Sequence, residues 1–166
     1  MSRPRSLPDA EIFTKVLAAL SDGGEKALTF GVIARLTGLA PATLAQRYGS
    51  VDGMVRAALL AEWGRLSQAV SDAEALVSAK GAQALLKHLP LPTTPVLALS
   101  MKDEDLATAA AHWRDLVETA LATRRGGGAK GREAAALIFA AWQGRVLWEA
   151  AGGKSFRLAE MLKALP

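Results

Sequence analysis

The chain has 166 residues, 51% of them hydrophobic, a formal net charge of +4 and no cysteine. That length allows one compact unit, or a small head joined to a helical body, and the hydrophobic share allows a substantial core. Disulfides, thiolate zinc sites and thiol catalysis are excluded, and no apolar run approaches the roughly 18 to 20 residues of a membrane span.

The MSRPR start has no apolar signal core, so a cytoplasmic protein with no membrane partner is expected. Aromatic residues make up only 5% of the chain, alanine and leucine are abundant, and no β-branched alternating run occurs. An all-α fold follows from that pattern. The pI near 9.7 fits a protein that approaches a polyanion.

Residues 1–8, with Arg3, Arg5 and two prolines, predict an extended arm able to touch phosphates or a minor groove. A first helix is expected over residues 9–20, with Asp9 near its positive end and Ile12, Phe13, Val16, Leu17 and Leu20 turned inward. The SDGG run at 21–24 stops it.

Residues 29–50, TFGVIARLTGLAPATLAQRYGS, organise the rest. Two short helical runs flank a turn at Thr37, Gly38 and Leu39. Phe30, Ile33, Ala34 and Leu36 give the first run one apolar face, and Leu39, Leu44 and Tyr48 do the same for the second. Thr29 suits an N-cap, Gly38 supplies a left-handed turn residue, and Pro41 fits a first helical turn. Together these are the parts of a helix-turn-helix, whose second helix lies in a DNA major groove. The side chains left outward there are Ala40, Pro41, Ala42, Thr43, Ala45, Gln46 and Arg47. Gln46 can pair with an adenine edge and Arg47 with a guanine edge. Thr43 can meet base or phosphate, and Ala42 a thymine methyl. Tyr48 reads as core with its hydroxyl reaching outward.

Beyond this segment a longer helix is expected from about residue 52, carrying Met54, Val55, Ala58, Leu59 and Trp63 and running toward residue 79. A short helix follows over 80–89. The PLPTTP run at 90–95 breaks the backbone, and a short apolar piece fills 96–101. Residues 103–125 predict a long helix with acids at its start and Arg124 and Arg125 at its close. The GGGAKG run at 126–131 lacks the Ser/Thr and preceding strand of a phosphate loop and reads as a flexible linker. A helix over 132–151 carries two apolar stripes, Leu137/Ala141/Gly144/Trp148 and Ala135/Phe139/Trp142/Val146. One stripe can serve the subunit's own core, and the other needs a partner. A final short helix would carry Phe156, Leu158, Ala159, Leu162 and Leu165.

His88 and His112 lie in different segments without a trustworthy ligand or base at metal-site spacing, so neither an enzyme nor a metal or other cofactor is expected.

The run ALTFGVIARLTGLAPATLAQRYGSVDGMVRAAL, about a fifth of the chain, resembles the N-terminal DNA-binding segment of the tetracycline-repressor (TetR) family of transcriptional regulators. The matching residues are Leu28 and Thr29 opening a helix, Ile33 and Ala34 within it, Gly38 and Leu39 at the turn, Thr43 and Leu44 in the recognition helix, and Tyr48 with Ser50 beyond it. The resemblance implies a three-helix head over 1–50 joined to a C-terminal helical bundle over 51–166 that serves ligand binding and dimerisation. It further implies a homodimeric repressor on a pseudo-palindromic double-stranded DNA operator, released by a small-molecule effector. Thr29 and its helix N-terminus would hold a phosphate, assisted by Lys26 and Arg35. A four-helix dimer interface would use Leu137, Ala141, Gly144, Trp148 and Phe156. Trp63, His88, Met101, Trp113 and Trp142 are the large side chains to consider as pocket linings, or as plain core. Two positions depart from the family pattern: Ala45 stands where an aromatic commonly meets the DNA backbone, and Val51 where a phosphate-binding lysine is frequent. Both departures leave open a rival class, a lipid or hydrophobic-ligand carrier that keeps this fold without reading DNA.

Overall fold

The computed structural model describes residues 7–78, 81–152, 157, 160, 162 and 163, the side chain of residue 150 excepted. The protein is all-α: among the described residues there is no strand, and no helix is long and apolar enough to cross a membrane. In chain order the helices are α1 (Asp9–Gly23), α2 (Phe30–Thr37), α3 (Pro41–Tyr48), α4 (Val51–Val77), α5 (Ala82–His88), α6 (Thr94–Ser100), α7 (Glu104–Arg124) and α8 (Gly128–Leu147). Short 3₁₀ turns occupy Glu25–Ala27 and Glu149–Ala151. The chain divides into two compact units, Met1–Arg65 with Pro92–Ala110, and Leu66–Leu91 with Ala111–Pro166.

In the first unit α1 packs on α2, and α2 on α3. Ile12, Val16 and Leu20, four residues apart, line the buried side of α1, which runs three residues past the expected stop at Leu20. Ile33 and Ala34 supply the buried face of α2, and Leu44 alone that of α3. The first half of α4 adds Met54, Val55, Ala58, Leu59 and Trp63. Trp63 is placed by polarity as well as shape: its indole N–H donates to Ser100 Oγ at 2.8 Å, and that hydroxyl donates to the Val96 carbonyl at 2.8 Å. A buried hydroxyl and indole satisfied in this way avoid the desolvation cost that each would otherwise carry.

The expected break at 90–95 is shorter than the proline spacing implies. Pro95 sits inside the first turn of α6, where a missing N–H costs no intrahelical bond. The apolar piece after it is therefore helical.

In the second unit Leu66, Val70, Ala73 and Val77 of α4 meet the core that Leu85 and Leu86 of α5 and Trp113, Val117 and Leu121 of α7 also enter. Arg124 closes the end of α4. Its guanidinium donates to Glu74 Oε1 at 3.1 Å and to the carbonyl of Ser78 at 3.4 Å, a residue whose left-handed φ of 49° ends the helix.

The glycine run at 126–131 is only partly a linker. Gly126 and Gly127 make the turn with positive φ, but α8 has begun by Gly128, four residues before the expected start. The cause is tertiary. Gly131 is buried, and a Cβ there would stand 3.0 Å from the Ala122 carbonyl oxygen, so its bare backbone lets α8 approach the end of α7. Along α8 the buried line is Gly131, Ala134, Ala135, Ile138 and Trp142. It shares Ala135 and Trp142 with the second of the two expected stripes but is centred on Ile138, which belongs to neither.

Candidate nucleic-acid interface

Local chemistry fixes the α2–turn–α3 geometry. Thr29 Oγ1 accepts the Val32 amide at 3.1 Å and so caps α2. Gly38, at φ 74°, ends α2 in the left-handed region while its N–H reaches the Ala34 carbonyl at 2.8 Å, a C-cap that favours glycine. Thr37 folds its hydroxyl back on the Ile33 carbonyl at 2.7 Å, and Pro41 occupies the first turn of α3. Leu44 is the anchor of α3, fully buried. With that side chain inward, Ala40, Pro41, Ala42, Thr43, Gln46 and Arg47 are all exposed, and Ala45 and Tyr48 are half-buried. Thr29, Lys26 and Arg35 are exposed as well.

The corner after α3 depends on a close approach. Ser50 Oγ accepts the Gly53 amide at 2.9 Å and caps α4, and a Cβ on Gly53 would lie 2.4 Å from the Tyr48 carbonyl oxygen. Only glycine lets the first turn of α4 sit so close to the last residue of α3.

Sequence reasoning missed a polar tie between α3 and the start of α1. Tyr48 donates its hydroxyl to Asp9 Oδ1 at 2.5 Å and its ring lies 5.9 Å from that of Phe13. Arg47 donates to the Leu7 carbonyl at 2.7 Å, with its Nε 3.7 Å from Asp9 Oδ1. Burial, then the hydrogen bond to Asp9 and its negative charge, push the Tyr48 phenol well above its ordinary pKa, so it remains a donor. These partners are about 40 residues apart in sequence, beyond the reach of any spacing rule. Arg47 thus has a structural duty beside any contact with DNA.

The large side chains considered as pocket linings fall into different places. Trp63 and Met101 belong to the first unit, the one buried against Ser100 and the other 59% exposed. Trp113 and Trp142 come together in the second unit, ring centroids 6.4 Å apart, with Phe139 within 6.2 Å of both and the Arg114 guanidinium 5.7 Å from the Phe139 ring. His88 lines a separate recess of about 430 Å³ with Leu76, Gln83 and Lys87. Among the described residues no group of three or more His, Cys, Asp or Glu is arranged to hold a metal ion.

The outward stripe of α8 is uncovered in the single chain. Leu137 is 50% exposed and Trp148 63% exposed, Ala141 and Gly144 between them are half-buried, and a Cβ added at Gly144 would meet nothing within 4 Å. Leu147 continues the same face. Phe156 lies outside the described residues.

No protein-family model matches the sequence, and no curated protein matches it either. Solved structures do share the fold. A protein of unknown function from Rhodococcus sp. RHA1 superposes with a TM-score of 0.69 at 17% identity, covering 96% of this chain and 92% of its own. A candidate transcriptional regulator from Pseudomonas aeruginosa PAO1 superposes with a TM-score of 0.67 at 16% identity, covering 93% of this chain and 85% of its own.

Proposed function

We propose that this protein is a transcriptional regulator of the TetR type, a homodimer that occupies a pseudo-palindromic DNA operator as a repressor and leaves it when a small molecule binds. The observation that carries the reading is the division of α3: one side chain, Leu44, is buried, while Thr43, Gln46 and Arg47 stand exposed on a helix that follows the left-handed turn at Gly38, opens on Pro41 and ends at the close corner made by Gly53. A short helix that turns the Gln46 amide and the Thr43 hydroxyl outward, and is braced through Arg47 to the start of α1, fits major-groove readout. The net charge of +4 favours approach to phosphates, and the Pseudomonas neighbour with this fold is itself a candidate regulator.

In this reading residues 1–50 form the DNA-binding head and residues 51–166 serve dimerisation and effector binding in the cytoplasm. Thr29 and the first amides of α2 hold a phosphate, with Lys26 and Arg35 beside them. Tyr48 and Arg47 brace α3 against Asp9, and Gln46 and Thr43 read bases. Leu137, Ala141, Gly144 and Trp148 of α8 meet their copies across a two-fold axis, the small residues allowing the helices to close up. No enzymatic step is assigned.

A second reading, a hydrophobic-ligand carrier without DNA recognition, is favoured by Ala45, by Val51 and by the intramolecular engagement of Arg47. Selection from random duplex DNA separates the two. The regulator enriches a two-fold-symmetric site, and changing Gln46 and Arg47 together to alanine abolishes the enrichment with the dimer intact. Salt-labile binding with no enriched sequence would leave the carrier.

A further inference from the structure

Within the first unit, the start of α4 and the turn between α6 and α7 enclose a recess of about 350 Å³. The buried Val55, Leu59 and Leu106, with the half-buried Val51 and Leu99, give it an apolar floor, and Glu25, Asp52, Arg56, Lys102 and Asp103 are its charged lining. That volume lies in the range of small-molecule sites, and the layout is the usual one for such sites, an apolar body with a few placed polar groups.

The rim has a sign. Its cations are Arg56 and Lys102, and both are engaged. Arg56 donates through Nε to Asp103 Oδ2 at 3.0 Å and through Nη2 to Asp105, while Lys102 Nζ lies 3.6 Å from Glu25 Oε2. Against these two cations the lining sets three carboxylates, Glu25, Asp52 and Asp103, and Asp105, outside the lining, takes up Arg56 as well. Asp103 is already committed twice, to Arg56 and to the Leu106 amide at the start of α7. Asp52 is exposed and, among the described residues, forms no ion pair. An anionic ligand would have to break an existing ion pair to find a cation. A cation finds Asp52 at the edge of an apolar floor, where its charged head stays partly hydrated while its body is buried.

We propose that this recess binds a small lipophilic monocation, an aryl- or alkylammonium, with its apolar body on Val51, Val55, Leu59, Leu99 and Leu106 and its charged head beside the Asp52 carboxylate. The site belongs to the first unit, and although most of its lining falls within residues 51–166, none of the five side chains considered for the effector pocket of the regulator reading takes part in it. Its readouts also need no DNA, so either proposal can fail while the other stands.

The test titrates benzyltrimethylammonium into the full chain at low salt and follows methyl resonances, with 3-phenylpropionate as an anion of similar size. Saturable binding is expected, with shifts concentrated on the five floor residues and the anion at least about tenfold weaker, a difference of about 1.4 kcal/mol. Asp52→Asn should weaken the cation severalfold and leave the anion unchanged, with native circular dichroism. Val51→Phe, which fills the floor, should abolish both. Absence of saturation into the millimolar range, equal affinity for the two probes, or an Asp52→Asn variant that binds the cation as tightly as the native chain would overturn the proposal.

Discussion

Replacing Leu44 by alanine tests whether one apolar contact seats α3. Leu44 is fully buried and is the only buried residue of the eight in α3, so no other apolar side chain of the helix replaces it, and the polar ties of Arg47 and Tyr48 to the start of α1 remain. The truncation removes three carbons, worth about 2.4 kcal/mol at about 0.8 kcal/mol each by transfer alone. A residual cavity beneath so short a helix raises the loss to about 3–4 kcal/mol. Gln46→Ala, two residues away but exposed, should change stability by less than about 0.5 kcal/mol. Urea denaturation of both variants, followed by far-ultraviolet circular dichroism, measures the difference, and operator affinity measured beside it separates the two effects. Leu44→Ala should lose stability and binding together, and Gln46→Ala binding alone. A loss below about 1 kcal/mol for Leu44→Ala would refute the claim that this side chain holds α3 in place.

Other outcomes follow from the same geometry. Gly53→Ala should destabilise the first unit by about 1–3 kcal/mol in thermal denaturation, because its Cβ would lie 2.4 Å from the Tyr48 carbonyl oxygen; at an ordinary helix position the same change stabilises by up to about 1 kcal/mol. Thr29→Ala should cost about 1 kcal/mol through loss of the cap on the Val32 amide, read from the denaturation midpoint. Changing Leu137 and Trp148 together to glutamate should yield monomers in sedimentation with the helical signal retained, since both side chains are exposed within one chain. The Leu106 amide, and after it Arg56, hold the Asp103 carboxyl below its usual range. Its stabilising contribution is therefore present above the ordinary aspartate pKa and lost as pH falls through the lowered one. Melting temperatures across the acid range should fall less steeply for Asp103→Asn than for the native chain.

The helix-turn-helix was legible because each of its determinants is local. A cap at Thr29, a left-handed glycine at 38, a proline at 41 and apolar residues three and four apart act within a turn or two of themselves, and the structure contains each of them. What could not be read depends on residues brought together by packing. The start of α8 moved into the glycine run because Gly131 lies against Ala122 of the preceding helix. The buried line of α8 runs through Gly131, Ala134 and Ile138, none of which lies on either apolar stripe that periodicity offers. The tie of Asp9 to Tyr48 and Arg47 spans almost the whole head, and the recess beside Asp52 draws on Glu25 and on segments 51–59 and 99–106. Neither leaves a mark in the spacing of any one segment.

The most direct measurement of the central claim maps amide resonances of the full chain as a selected duplex is added. Shifts concentrated at Thr29–Phe30 and over residues 40–47, and diminishing as salt is raised, are the predicted result. A duplex that binds while leaving α3 unperturbed, or that moves only residues 111–147, would contradict it.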